Sequence, residues 1–267
     1  MKITKVRAVA HEVQNTITGW KISLGSKDTH ELIFVRIDSD EGIFGVGIAS
    51  PGAIYISGDT GIHHLELINN IFGPAIVGAD PFALEAIMRN LDSLTRSAER
   101  AKAGIDLALH DLMGKALGVP ANRLFGGAVH EGVRVNRLMG MYPPREMAEK
   151  CKAVVEKGYT ALKLKVGTTL QEDVERVQRV REAVGPEVMI TVDFNQACSP
   201  KEAIQRIRKM EPYDVAIVEQ PVKAADLKGL ALVRQSVQPR VMADESVNNA
   251  AEALRIIESC ILGDRPL

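Results

Sequence analysis

Five charged residues occupy positions where a buried parallel strand should be apolar or should end. In Ala161-Leu162-Lys163-Leu164-Lys165-Val166 two lysines share one face, because side chains in a strand alternate with period two. Leu162, Leu164 and Val166 point the other way, toward covering helices. Asp193 then closes Ile190-Thr191-Val192-Asp193, Glu219 closes Ala216-Ile217-Val218-Glu219, and Asp244 closes Val241-Met242-Ala243-Asp244. The steps from 193 to 219 and from 219 to 244 are 26 and 25 residues, each the length of one strand–helix unit. Three carboxylates therefore end three successive strands, at the face where barrels of this kind build active sites.

Three acids side by side repel one another unless a cation joins them. Hard oxygen donors with no Cys or His in the motifs suit Mg2+, with Mn2+ as an alternative ion, and argue against zinc. Taken singly, an acid at a strand end is an ordinary turn residue. Three in phase, with two lysines on the neighbouring strand, are not.

The elements that must hold these residues are visible in the patterning. The first 60 residues read as β: Lys2 to Val13, Glu31 to Asp38 and Ile43 to Ala49 form a small antiparallel meander with a turn at Ser39-Asp40-Glu41-Gly42. Helical spacing follows over Ile62 to Ile71, Pro81 to Leu94 and Ala98 to Leu117, the last stopped by Gly118-Val119-Pro120. Phe125-Gly126-Gly127 marks a boundary near residue 130, dividing the chain into domains 1–130 and 131–267. Beyond it strand and helix alternate. The strands are Val133 to Met141, Thr160 to Val166, Val188 to Phe194, Val215 to Val218 and Arg240 to Ala243. The helices are Pro144 to Lys157, Leu170 to Val184, Pro200 to Met210, Asp226 to Val237 and Asn249 to Ser259. Repeated βα units predict parallel strands with helices outside, hence an α/β fold: an N-terminal α+β domain followed by about five βα units.

Composition narrows the function. The chain has 267 residues, 46% hydrophobic and 25% charged, with a formal net charge of −1. That balance gives no reason to expect nucleic acid or a membrane surface as partner. No apolar run reaches the roughly 18 residues of a membrane span and the N-terminus lacks a signal-peptide core, so a cytoplasmic location is expected. Cys151, Cys198 and Cys260 form neither a disulfide framework nor a CxxC site. No dinucleotide or Walker glycine fingerprint occurs. Trp20 and Tyr55 stand out in polar or Gly-rich loops of a chain with only 4% aromatics, as substrate contacts or as simple loop anchors. His110 reads as a packing or surface residue, His63-His64 as a solvated helix start, and Cys198 as inert.

Lys163-x-Lys165, Asp193-x-Asn195, Glu219-Gln220-Pro221 and Asp244-Glu245-Ser246, in this order and spacing, resemble the enolase superfamily. The Lys-x-Lys form points to its muconate lactonizing enzyme subgroup, in the mandelate racemase/muconate lactonizing enzyme family. The stretch Ala103 to Leu112, with Gly114-Lys115 and Leu124 to Gly127, looks like that family's capping-domain signature, and the likeness runs over residues 1 to 259. The resemblance implies Mg2+-dependent removal of a proton α to a carboxylate, as in an isomerase or cycloisomerase, epimerase or dehydratase acting on a small organic acid or amino-acid derivative. It implies Asp193, Glu219 and Asp244 as metal ligands, Lys165 as base with Lys163 as its electrostatic neighbour, and Asn195 and Glu245 as supporting partners. It implies that loops Gln14–Lys27 and Ser50–Asp59, with Trp20 and Tyr55, choose the substrate. A lysine beside another cation and a metal should titrate below its ordinary ~10.4. A homo-oligomer is expected.

One departure from that pattern sets a further expectation. From residue 133 to 267 there is room for five units, whereas a full barrel takes roughly 200 residues or more. No lysine follows Lys228, although the subgroup carries an opposing acid/base lysine on its next strand. The expectation is an incomplete barrel with C-terminal strands missing, and the alternative function is a non-catalytic remnant or a fragment completed by a partner chain.

Overall fold

The computed structural model describes residues 1–14, 21–22, 25–26, 29–50, 60–95 and 97–262. The chain forms two compact units, one of Met1–Thr16 with Thr29–Glu131 and the other of Ile17–Asp28 with Gly132–Leu267.

In the first unit, β1 (Ile3–Gln14), β4 (Thr29–Ser39) and β5 (Phe44–Ala49) make an antiparallel sheet in the order β1-β4-β5. A separate two-residue pairing, assigned to the second unit, joins β2 (Lys21–Ile22) to β3 (Gly25–Ser26). Helix α1 (Gly61–Glu66) runs through a π-helical turn at Leu67–Phe72 into α2 (Gly73–Ile76), and α3 (Leu84–Leu94) and α4 (Glu99–Leu117) follow. The widened turn aims Asn69 at β1: its amide accepts from the Ala8 N–H at 2.7 Å and donates to the Ala8 carbonyl at 3.0 Å. The sheet's β5 lies directly on α4. A Cβ at Gly45 or Gly47 would collide with the Ala108 or Gly104 carbonyl, so these strand glycines allow the close approach. Asp111 locks the contact by accepting from the Val46 N–H at 2.8 Å. These contacts give a physical reason for the small-residue stretch around Gly104 and Ala108. Ile33, Val35, Ile37, Phe72, Ile105 and Leu109 form the core between these layers.

The second unit is a five-stranded parallel sheet in the order β10-β9-β8-β7-β6. Its strands are β6 (Arg137–Met139), β7 (Ala161–Lys165), β8 (Met189–Asp193), β9 (Val215–Glu219) and β10 (Arg240–Met242). They alternate with α5 (Pro144–Val155), α6 (Leu170–Val184), α7 (Pro200–Met210), α8 (Leu227–Ser236) and α9 (Ala250–Leu262). Helix starts follow local chemistry. The Thr169 hydroxyl accepts from the Glu172 N–H, Ser199 and Glu202 form a reciprocal capping box, and Asp226 accepts from the Gly229 N–H. Leu162, Leu164 and Val166 are fully buried in the core with Val177, Val180, Ile190 and Val192.

Two expectations need correction. The segment Val133 to Met141 is a strand only at Arg137–Met139, which pairs with Leu162–Leu164 of β7. Val133 and Val135 are exposed, so their apolar character does not mark a buried strand. His64 is fully buried, not solvated, because α1 packs on β1 and β4 and turns that face inward; His63 is exposed as expected. Among the described residues no helix is long and apolar enough to cross a membrane.

Candidate active site

The strand register sets the site. Lys165 lies opposite Asp193, Asp193 opposite Glu219, and Met242 opposite Glu219, so neighbouring strands end at one level. Just past that level the chain turns sharply. Asn195 (φ 42°), Gln196 (φ 68°) and Gln220 (φ 34°) all sit in the left-handed region, which side chains other than glycine enter at a cost.

At this end the carboxylates of Asp193, Glu219 and Asp244 offer oxygens that all lie within 4.8 Å of one another. Asp193 and Glu219 are buried and Asp244 is exposed. The two lysines lean into the same space. Lys163 Nζ donates to Glu219 Oε1 and lies 3.0 Å from Asp193 Oδ2. Lys165 Nζ is 2.6 Å from that same oxygen and donates to Asn195 Oδ1 at 2.7 Å. Asn195 also gives its backbone N–H to Asp193 Oδ1 at 2.9 Å and its side-chain amide to Glu245 Oε1 at 3.1 Å. The structure therefore brings together seven of the residues singled out from the sequence: Lys163, Lys165, Asp193, Asn195, Glu219, Asp244 and Glu245. Trp20 and Tyr55 lie outside the described residues.

The electrostatics follow from this crowding. Burial pushes the Asp193 carboxyl up, but the charges of Lys165 and Lys163 and the hydrogen bonds from Lys165 and Asn195 outweigh it and hold Asp193 below the usual carboxylate range. Burial, then the charge of Asp193, pushes Glu219 up to about 7, against the pull of Lys163. Burial likewise raises Glu245, opposed by its hydrogen bond from Asn195. Burial pulls Lys163 down, yet Asp193 and Glu219 outweigh it and hold the ammonium above its ordinary value. Lys163 is thus held as the cation of the lysine pair.

This donor set fits a hard divalent cation. It is all oxygen, and the Glu219 Oε2 atom is buried without a hydrogen-bond partner. Three acids face two lysines, which leaves negative charge for an ion to neutralise.

Sequence reading missed how the third acid is held. Gln220, fully buried, accepts from the N–H groups of Asp244 at 2.8 Å and Ser246 at 3.3 Å, and donates to Ser246 Oγ at 2.7 Å and the Val222 carbonyl at 3.0 Å. Its signal was a polar residue between a strand-ending acid and a proline. Cys198 is buried and burial pushes its thiol up to about 11, in keeping with an inert residue. His110 stacks on Phe125 at 4.5 Å in the first unit, a packing role.

Comparison with known proteins agrees with this geometry. Residues 4–126 match the N-terminal domain of mandelate racemase / muconate lactonizing enzyme, and residues 146–262 match the enolase C-terminal domain-like family. A hydrophobic dipeptide epimerase from Enterococcus faecalis is 39% identical over 258 residues, 97% of this chain and 72% of that protein. The chain belongs to the mandelate racemase/muconate lactonizing enzyme family of the enolase superfamily. An N-succinyl-L-Arg/Lys racemase from Bacillus cereus is 33% identical over 97% of this chain and 70% of that protein. The crystal structure of the Enterococcus faecalis V583 dipeptide epimerase, complexed with Mg and the dipeptide L-Leu-L-Tyr, superposes with a TM-score of 0.92 at 38% identity, again over 97% of this chain and 72% of that one. Membership places the chain among enzymes, with isomerase chemistry and a divalent metal. The alternative of a non-catalytic remnant finds no support: the relatives are enzymes, and the acids and lysines are assembled here.

Proposed function

We propose that this enzyme moves a proton at the carbon α to a carboxylate in an amino-acid derivative, with Mg2+ held by Asp193, Glu219 and Asp244. The observation that carries the reading is Lys165 Nζ, buried and 2.6 Å from Asp193 Oδ2, so that a base stands beside a metal-ligand carboxylate. The bound ion would supply Lewis-acid stabilisation of negative charge developing on the substrate carboxylate.

The chain's own residues do the rest. Lys165, as the neutral amine, takes the α-proton; the C–H bond breaks and its electron pair delocalises into the adjacent carboxylate. The resulting ammonium returns a proton to the carbon or exchanges it with solvent. Asn195 receives a hydrogen bond from Lys165 and is itself oriented by Glu245, which keeps its amide oxygen toward the base. Lys163 remains a cation beside the developing charge, held by Asp193 and Glu219. Substrates of the class handled by the relatives, dipeptides and N-acylated amino acids, are the first to test. Inversion needs a proton delivered to the opposite face; exchange with retention does not, so exchange reads Lys165 alone.

The experiment is α-hydrogen exchange in D2O, followed by NMR or mass spectrometry over a panel of dipeptides, including L-Leu-L-Tyr, and N-succinyl amino acids. Mg2+-dependent exchange that disappears in Lys165→Met is expected, with a smaller loss in Lys163→Met. Undiminished exchange in Lys165→Met, or no exchange with any of these carboxylates, would overturn the reading.

A further inference from the structure

Asp193 and Glu219 are buried at the ends of central strands and tied down by lysines, but Asp244 has neither support. It is exposed, and it lies two residues beyond Met242, where pairing of the edge strand β10 with β9 ends. Its carboxylate receives no lysine among the described residues. Its position is set through the backbone, and one side chain does the setting.

That side chain is Gln220. It immediately follows the ligand Glu219, and its backbone N–H reaches the Met242 carbonyl at 2.9 Å. Its amide oxygen accepts from the Asp244 and Ser246 N–H groups, bracketing Asp244, while its NH2 is spent on Val222 and Ser246 Oγ. The Ser246 hydroxyl donates to the Ala224 carbonyl at 3.0 Å, which leaves its oxygen as the acceptor for Gln220. Both donors and both lone pairs of the carboxamide are used, and the side chain is fully buried. A left-handed φ of 34° at a non-glycine residue adds backbone strain that the surrounding bonds must hold.

We propose that Gln220 is a positioning residue for the metal centre: it fixes the Asp244 carboxylate relative to Glu219, and so sets affinity for the divalent ion. Gln220 touches neither ion nor substrate; it joins the second ligand to the third. The inference rests on the three-acid metal reading. Loss of such a supporting hydrogen bond typically lowers metal affinity about 10- to 100-fold. A purely structural role would instead lower the stability of the ion-free protein and leave affinity unchanged.

The test is calorimetric titration of Mg2+ into the purified full chain, with ion-free thermal unfolding measured in parallel. Gln220→Met is expected to bind Mg2+ about 10- to 100-fold more weakly than the parent. Gln220→Asn, which keeps the amide but is one methylene too short to reach the Asp244 N–H, is expected to lose affinity in the same direction and serves if Gln220→Met does not fold. Ser246→Ala leaves the Gln220–Asp244 bond in place and should change affinity by only a few-fold. Parent-like affinity in a folded Gln220→Met or Gln220→Asn overturns the inference while the metal reading stands. A parent that binds no Mg2+ overturns the metal reading, and this inference with it.

Discussion

The second unit holds two clusters of charge, one buried and one open at Asp244, and they are built on opposite terms. One surrounds Asp173 on α6. Its Oδ1 accepts from the Gly167 and Thr168 N–H groups, the Thr168 hydroxyl and Arg176, and its Oδ2 accepts from Arg206 at 2.7 Å. Arg176 in turn donates to the Tyr142 carbonyl at 2.9 Å, and Arg206 to the Thr168 carbonyl at 3.1 Å. One acid meets two guanidiniums, and both its oxygens are satisfied. The other cluster sets Asp193, Glu219 and Asp244 against Lys163 and Lys165, and leaves Glu219 Oε2 and Glu245 Oε2 buried without partners. A closed cluster of the first kind fastens the β7–α6 loop to its neighbours. An open one, short of positive charge and of donors, is what a cation-binding site requires before the ion arrives.

The largest effect should come from breaking the closed cluster. Asp173→Ala leaves Arg176 buried without its carboxylate and should cost about 3–5 kcal/mol, read by urea unfolding. Added Mg2+ should leave that deficit in place, because Asp173 is not a ligand. The open cluster should behave in the opposite way. Glu219→Gln removes a carboxylate that is crowded by Asp193, so at pH 8 its ion-free stability should equal or exceed the parent's. Its stabilisation by Mg2+ should vanish, where the parent gains about 2.7 kcal/mol at a hundred times its dissociation constant.

The contrast also has a pH signature. Glu219 titrates near 7 in the fold, above its ordinary 4.5, so folding favours its protonated form. Its contribution to ion-free stability is therefore fully present below the ordinary carboxylate range and is lost as pH rises through about 7. Metal binding needs the ionised carboxylate, so stabilisation by Mg2+ should run the other way and shrink as pH falls below about 7. Melting temperatures with and without Mg2+ between pH 5.5 and 8.5 should diverge with rising pH. Parallel curves would show that Mg2+ binding does not depend on ionising Glu219.

The smallest effect concerns access. Cys198 lies within the electrostatic reach of Arg206 and Asp173, and burial pushes its thiol up to about 11 and that of Cys151 to about 12. In a Cys260→Ser background neither should react with an aromatic disulfide reagent at pH 8 until the protein is unfolded. Adding Asp173→Ala should speed labelling of Cys198 by loosening the cluster beside it.

Much of this was legible in the sequence, for identifiable reasons. The period-two placement of Lys163 and Lys165 and the regular spacing of Asp193, Glu219 and Asp244 report strand geometry directly, so the site could be assembled from residue numbers. Helices Leu170–Val184 and Pro200–Met210 have the limits read from sequence because capping residues mark their starts. What escaped depends on contacts distant in sequence. The burial of His64 comes from packing on strands far from it in the chain. The Gln220 clamp joins residues 24 and 26 positions apart, and the closure of the Asp173 cluster needs Arg206 from the next helix.

Titrating Mg2+ at pH 8 into the parent, Asp193→Asn and Lys165→Met asks whether the open cluster takes a divalent cation at Asp193, Glu219 and Asp244 beside a base that is not itself a ligand. One saturable site is expected in the parent, lost in Asp193→Asn and retained in Lys165→Met. Binding that survives unchanged in Asp193→Asn, or no saturable binding in the parent, would contradict it.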